Sequence, residues 1–108
     1  MPLIKIYDKN IPTEDVQMRI CNEVTLEAFN VPNNRIKLLF IKNNNLLSNA
    51  ALIEVSIVKG RKQEIKDMAA QEILHTYFKY TDKICELVFI ELEKENIHTY
   101  DTEKRREQ

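Results

Sequence analysis

The chain has 108 residues, 44% of them hydrophobic and 31% charged, with a single glycine, a balance that suits one compact domain with a real core and excludes fibrous, disordered and multidomain classes. Sixteen Lys and Arg against 17 Asp and Glu leave a formal charge of −1, so the basic excess of a phosphate-binding surface is missing and no nucleic-acid partner is expected. The apolar runs are far shorter than the roughly 20 residues that span a bilayer, and the start lacks a charged-then-apolar signal pattern, which together predict a soluble, cytoplasmic protein with no membrane partner.

In chain order, Leu3 to Tyr7 alternates Ile4 and Ile6 with Lys5 and Tyr7, the period of two expected of a strand. Pro12 and Thr13 then open a helix. Thr13 is a capping residue type, Glu14 and Asp15 suit the positive end of the dipole, and Val16, Ile20 and Val24 follow at helical spacing to about Asn30. Pro32 cannot continue that helix, and Ile36 to Ile41 reads as a second strand. Asn43, Asn44, Asn45, Ser48 and Asn49 make a loop. A third strand spans Leu52 to Val58, a turn falls at Lys59 and Gly60, and a helix runs from about Lys62 to Lys79 with Ile65, Ala69, Ile73 and Tyr77 on one stripe. A fourth strand covers Cys85 to Leu92, and residues 99–108 form a polar tail.

The order strand, helix, strand occurs twice, and the copies align. Offset by 49 residues, Leu3, Ile4, Glu23, Phe29, Leu38, Phe40 and Ile41 meet Leu52, Ile53, Glu72, Phe78, Leu87, Phe89 and Ile90, seven identities with no gap. The chain therefore reads as a single domain, 1–108, of two pseudo-repeats at about 2–45 and 51–95. The expected class is α+β: two β-α-β units in tandem, forming a four-stranded mixed sheet with both helices on one face. The strand residues Ile36, Leu38 and Phe40 oppose Leu39 and Ile41, and Leu87 and Phe89 oppose Val88 and Ile90. Strands that are apolar on both sides are buried on both sides, so a second subunit is expected over the bare face.

Two features carry chemistry. Removal of Met1 would expose the secondary amine of Pro2 at the start of the first strand, and such an amine is a base only when unprotonated. Gly60-Arg61, between a strand and a helix, reads first as a turn glycine with a solvated arginine, and alternatively as a guanidinium fork for a carboxylate. Cys21 and Cys85 lack metal or redox spacing and read as small hydrophobes. His75 and His98 find no third ligand, so no metal is expected. Arg105 and Arg106 read as part of a solvated tail.

Together these residues resemble the tautomerase superfamily, typified by 4-oxalocrotonate tautomerase and macrophage migration inhibitory factor, in a fused double-unit form. Ala51-Leu-Ile-Glu-Val-Ser-Ile-Val-Lys-Gly-Arg61 is similar to the opening of the short tautomerases, with Ala51 where their proline stands, and Pro2-Leu-Ile-Lys-Ile repeats that opening with the proline kept. Gly60-Arg61-Lys62-Gln63 and the strand Val88 to Leu92 bring it nearest to an uncharacterised bacterial branch of about this length.

The resemblance implies keto-enol tautomerisation of a small carboxylated substrate, with no cofactor. Pro2 would be the general base, Arg61 the carboxylate clamp and Lys37 a second cation. Tyr100, beyond the last strand, reads first as an ordinary packing or surface tyrosine, and alternatively as a phenol delivered to the pocket of a neighbouring subunit. The resemblance also implies a homotrimer. Ala51 lies inside the chain and cannot be an amine, Glu86 replaces the cation of the second unit, and Val58 stands where the dehalogenase branch has arginine. At most one proline site per subunit is therefore implied, without hydrolytic dehalogenation. Two other readings stay open: a tautomerase-fold oligomer without catalysis, and a ferredoxin-like regulatory protein that binds a small ligand.

Overall fold

The computed structural model describes residues 2–30, 36–46 and 49–98. Four strands, β1 (Leu3–Asp8), β2 (Lys37–Lys42), β3 (Leu52–Val58) and β4 (Glu86–Leu92), form one sheet in the order β2-β1-β3-β4. β1 is parallel to β2 and β3 to β4, while the central pair β1 and β3 is antiparallel. The sheet is thus mixed, as two tandem β-α-β units require. The offset of the sequence repeat also governs the pairing: Leu3 faces Lys37 as Leu52 faces Glu86. The Lys37 amide donates to the Pro2 carbonyl at 3.0 Å, and the Glu86 amide to the Ala51 carbonyl at 3.3 Å.

Period-two alternation decides which face is filled. Ile4 and Ile6 of β1 and Ile53, Val55 and Ile57 of β3 are buried, and they share one core with Ile20, Val24, Ile73 and Tyr77 from the helical layer. Each such side chain contributes about 1.5–3 kcal/mol by leaving water, so the central strands carry most of what holds the helices to the sheet. The opposite face is open in the single chain, where Leu39, Val88 and Ile90 are each 40% exposed or more.

The first helix, α1 (Glu14–Glu23), widens into π-helical turns over Val24–Phe29 and ends at Asn30 in the left-handed region, φ 50 and ψ 49. Its extent agrees with the sequence reading; its pitch does not. The Thr25 hydroxyl donates to the Cys21 carbonyl at 2.7 Å, a local bond of the kind that competes with the helical ladder. Thr13 occupies the cap position without a side-chain cap hydrogen bond, which leaves the charges of Glu14 and Asp15 as the favourable interaction with the helix end.

The second helix, α2 (Gln63–Thr81), follows Gly60, whose φ of +114 suits glycine alone although no atom lies near its missing Cβ. Ala69, Ile73 and Tyr77 are buried as expected, but Ile65 is half-exposed. Steps of four residues drift about 40° per step around an axis of 3.6 residues per turn, so Ile65 has rotated out of the core by the time Tyr77 points into it. Among the described residues, no helix is long and apolar enough to cross a membrane.

Candidate functional site

The start of β1 is assembled from both units. Pro2 is fully buried and continues the inward parity of Ile4 and Ile6. Because β1 and β3 are antiparallel, with Leu3 opposite Ser56, the end of β3 lies at the start of β1, and the Lys59–Gly60 turn delivers Arg61 to that same end. Arg61 is exposed, and its guanidinium carbon sits 5.8 Å from the ring centroid of Phe29, at the end of the π-helical turns. Arg61 therefore stays with the helical layer, on the side that Pro2 faces.

Neighbouring cations at this end are neutralised. Lys59 pairs with Glu93 at 3.3 Å and Lys66 with Glu91 at 2.6 Å, whereas among the described residues neither Arg61 nor Lys37 has an acidic partner. An unpaired guanidinium keeps its planar fork of donors open to a carboxylate.

Lys37 joins Pro2 through the backbone only. It alternates with Leu38 and Phe40, which pack on the core, so its own side chain lies on the outer face, away from the Pro2 ring. Tyr100 lies outside the described residues. A groove of about 450 Å³ between the helices is lined by Glu27, Ile65, Met68 and Glu72 among others, and by none of Pro2, Arg61 and Lys37.

The other end of the sheet holds a cluster the sequence reading missed. Asp8 is fully buried and accepts hydrogen bonds from the Tyr77 hydroxyl, from Lys83 Nζ at 2.5 Å and from the Asn10 amide at 3.1 Å. Burial pushes its carboxyl up, but the hydrogen bonds from Lys83, Tyr77 and Asn10 outweigh that and hold it below the usual carboxylate value. Burial, together with the bond to Asp8, drives the Tyr77 phenol far above its ordinary value. The signal was present: Asp8 follows Ile4 and Ile6 at inward parity, and a carboxylate there has to find partners inside.

Cys85 is half-buried beside this cluster, with its sulfur 3.6 Å from the Lys83 carbonyl oxygen, and burial pushes its thiol up. Cys21 is also half-buried. His75 and His98 are exposed, and among the described residues no three His, Cys, Asp or Glu side chains gather where a metal ion could sit.

No family model and no curated protein matches the sequence. Solved structures do match. A fused 4-OT solved as an asymmetric trimer aligns with a TM-score of 0.79 at 12% identity, over 90% of this chain and 91% of that one. A malonate semialdehyde decarboxylase inhibited by 3-bromopropiolate gives 0.74 at 13% identity, over 93% and 90%. A Vibrio cholerae protein of unknown function gives 0.71 at 19% identity, over 91% and 83%. At these identities the likeness is one of fold.

Proposed function

The chain has the tautomerase fold in its fused, double-unit form, and from that premise we propose that it is a cytoplasmic tautomerase acting on a small carboxylated enol. The observation that supports the reading is that Pro2 lies at the same end of the sheet as Arg61, which has no acidic partner among the described residues.

With Met1 removed, the Pro2 nitrogen is a secondary amine. A free α-amino group titrates near 8, and a neighbouring cation disfavours its protonated form, so the amine serves as a base close to neutrality. It takes the proton from the enol hydroxyl and returns one to carbon; the enol becomes the ketone with no net gain or loss of atoms. Arg61 holds the carboxylate through its paired N–H donors and fixes the reacting carbon against the amine. Lys37, on the outer face, serves as a second cation only across to a neighbouring copy.

That outer face gives the second half of the proposal. Leu39, Val88 and Ile90 stand exposed on a sheet whose other face is packed by α1 and α2, and structural neighbours are trimers. We place two further copies against it. Light scattering at micromolar concentration should return about three times 12.8 kDa, and a stable monomer would contradict the assembly.

The activity is tested with Met-free protein and 2-hydroxymuconate or an arylpyruvate enol, following ketonisation. A rate above buffer is expected. Buffer-level rates on both substrates, with Pro2 confirmed at the amino terminus, would leave a binding protein on a tautomerase fold.

A further inference from the structure

We propose that Phe29 is a positioning residue whose ring holds the Arg61 guanidinium ready for a carboxylate. The inference rests on Arg61 being the carboxylate clamp.

The guanidinium carbon lies 5.8 Å from the Phe29 centroid, inside the roughly 6 Å within which a ring face attracts a cation. Among the described residues nothing else fixes this exposed side chain: it has no acidic partner and no side-chain hydrogen bond. Phe29 is itself anchored, half-buried and packed against the core. A ring contact supplies no lone-pair acceptor, so it leaves the guanidinium fork without a competing hydrogen-bond partner.

The helix ends in a way that serves this contact. Turns closed from residue i to i+5 carry side chains round the axis more slowly than α-turns, and Phe29 closes the π-helical stretch Val24–Phe29 just before Asn30 turns the chain. The second unit is the internal control. Phe78, aligned with Phe29 by the 49-residue offset, sits in regular α-helix, is 46% exposed, and has no cation over its ring among the described residues. The stacked pair is therefore a property of the Pro2 end and not a by-product of the repeat.

An exposed cation–π contact enriches the stacked conformer by about threefold, and a ligand that needs this conformer binds more weakly by the same factor when the ring is lost. The experiment compares Met-free wild type, Phe29→Tyr, Phe29→Leu and Phe29→Met, the two non-aromatic variants guarding against one that fails to fold. Fumarate, an inert dicarboxylate, is titrated while the Arg61 Nε–Hε resonance is followed by NMR, and ketonisation of 2-hydroxymuconate is measured in parallel.

Expected are a ring-current shift on Arg61 in wild type and Phe29→Tyr, lost in the other two. Kd for fumarate and KM for the enol should rise about threefold in Leu and Met, with kcat and the pH profile unchanged. Equal Kd values across all four proteins, a fall in kcat with KM unmoved, or an Arg61 resonance that fumarate does not move would overturn the role. Wild type that binds fumarate at Arg61 but turns over no enol overturns the tautomerase reading instead, and the Kd comparison still judges Phe29.

Discussion

The two ends of the sheet are related by the 49-residue offset and have been given opposite treatments. At the start of β1, Pro2 is buried and Arg61 has no acidic partner among the described residues. At the far end, where Ala51 takes the place of Pro2 and Glu86 that of Lys37, Asp8 draws in Tyr77 and Lys83 and ties β1 to the end of α2. A charge satisfied inside the fold stabilises it and has nothing left to offer a ligand. A charge left unpaired contributes little to stability and keeps its donors free. The repeat supplies two equivalent ends, and the placement of charge makes one a candidate site and the other a clasp.

The largest effect should come from closing the open end at its base. Acetylating or extending the Pro2 nitrogen turns the amine into an amide, and kcat should fall by about 10² to 10⁴ while KM hardly moves. Ala51→Gly should return wild-type kcat, because the peptide nitrogen there never was a base. An acetylated protein with undiminished turnover would remove Pro2 from the chemistry.

Opening the closed end should be felt in stability instead. Asp8→Ala leaves Lys83 and Tyr77 without their acceptor in a site where the Asp8 side chain is fully buried and that of Lys83 is 23% exposed. Breaking a buried pair costs about 3–5 kcal/mol, and urea titration should show about 3 kcal/mol for a lysine that still reaches water. Tyr77→Phe removes one donor and should cost about 1–2 kcal/mol. Neither variant should alter KM for the enol. Wild-type stability in Asp8→Ala would mean that the clasp contributes nothing.

Much of this contrast was written in the chain. Alternation in Leu3 to Tyr7 and Leu52 to Val58 placed the central strands, and the offset of the repeat gave the order of the units, because both depend on local pattern and on matching one half to the other. Pro2 and Arg61 were singled out by residue type at a strand start and a strand-helix turn, and the antiparallel pairing of β1 with β3 puts those two positions at one end of the sheet. The clasp was not, since Asp8 meets partners 69 and 75 residues away and only packing brings them together. The approach of Arg61 to the Phe29 ring was hidden for the same reason: the two residues belong to different repeats and only packing brings them together. Lys37 went to the outer face by simple alternation with Leu38, a point the sequence held and the family likeness obscured.

A tenfold effect is expected from Arg61→Ala. Losing a charge-assisted hydrogen bond should raise KM by about that factor or more, and removing a nearby cation should raise the pKa of the Pro2 amine. The acid limb of the pH–rate profile then moves upward, because the amine must be deprotonated to act. Unchanged KM with an unchanged profile would make Arg61 a surface residue and dissolve the contrast between the two ends.

The smallest effect concerns acid, and it separates the buried clasp from its exposed counterpart. Glu23 accepts from the Tyr80 hydroxyl and from Lys79 at 2.9 Å, and these bonds hold its carboxyl below the usual value, as the clasp does for Asp8. A carboxyl whose folded pKa lies below its unfolded one binds its proton first in the unfolded chain. Its stabilisation is complete above about pH 5 and drains away as pH falls through the unfolded value towards the folded one. Wild-type Tm should therefore decline below about pH 5, and Asp8→Asn should start lower at pH 7 and decline less. Glu23→Gln should differ from wild type only slightly, and 0.5 M salt should erase that difference, since Lys79 is half-exposed and screened, while the Asp8→Asn difference should persist. Equal acid slopes for wild type and Asp8→Asn would mean that the buried carboxyl carries no charge to lose, and that the clasp is held by Tyr77 alone.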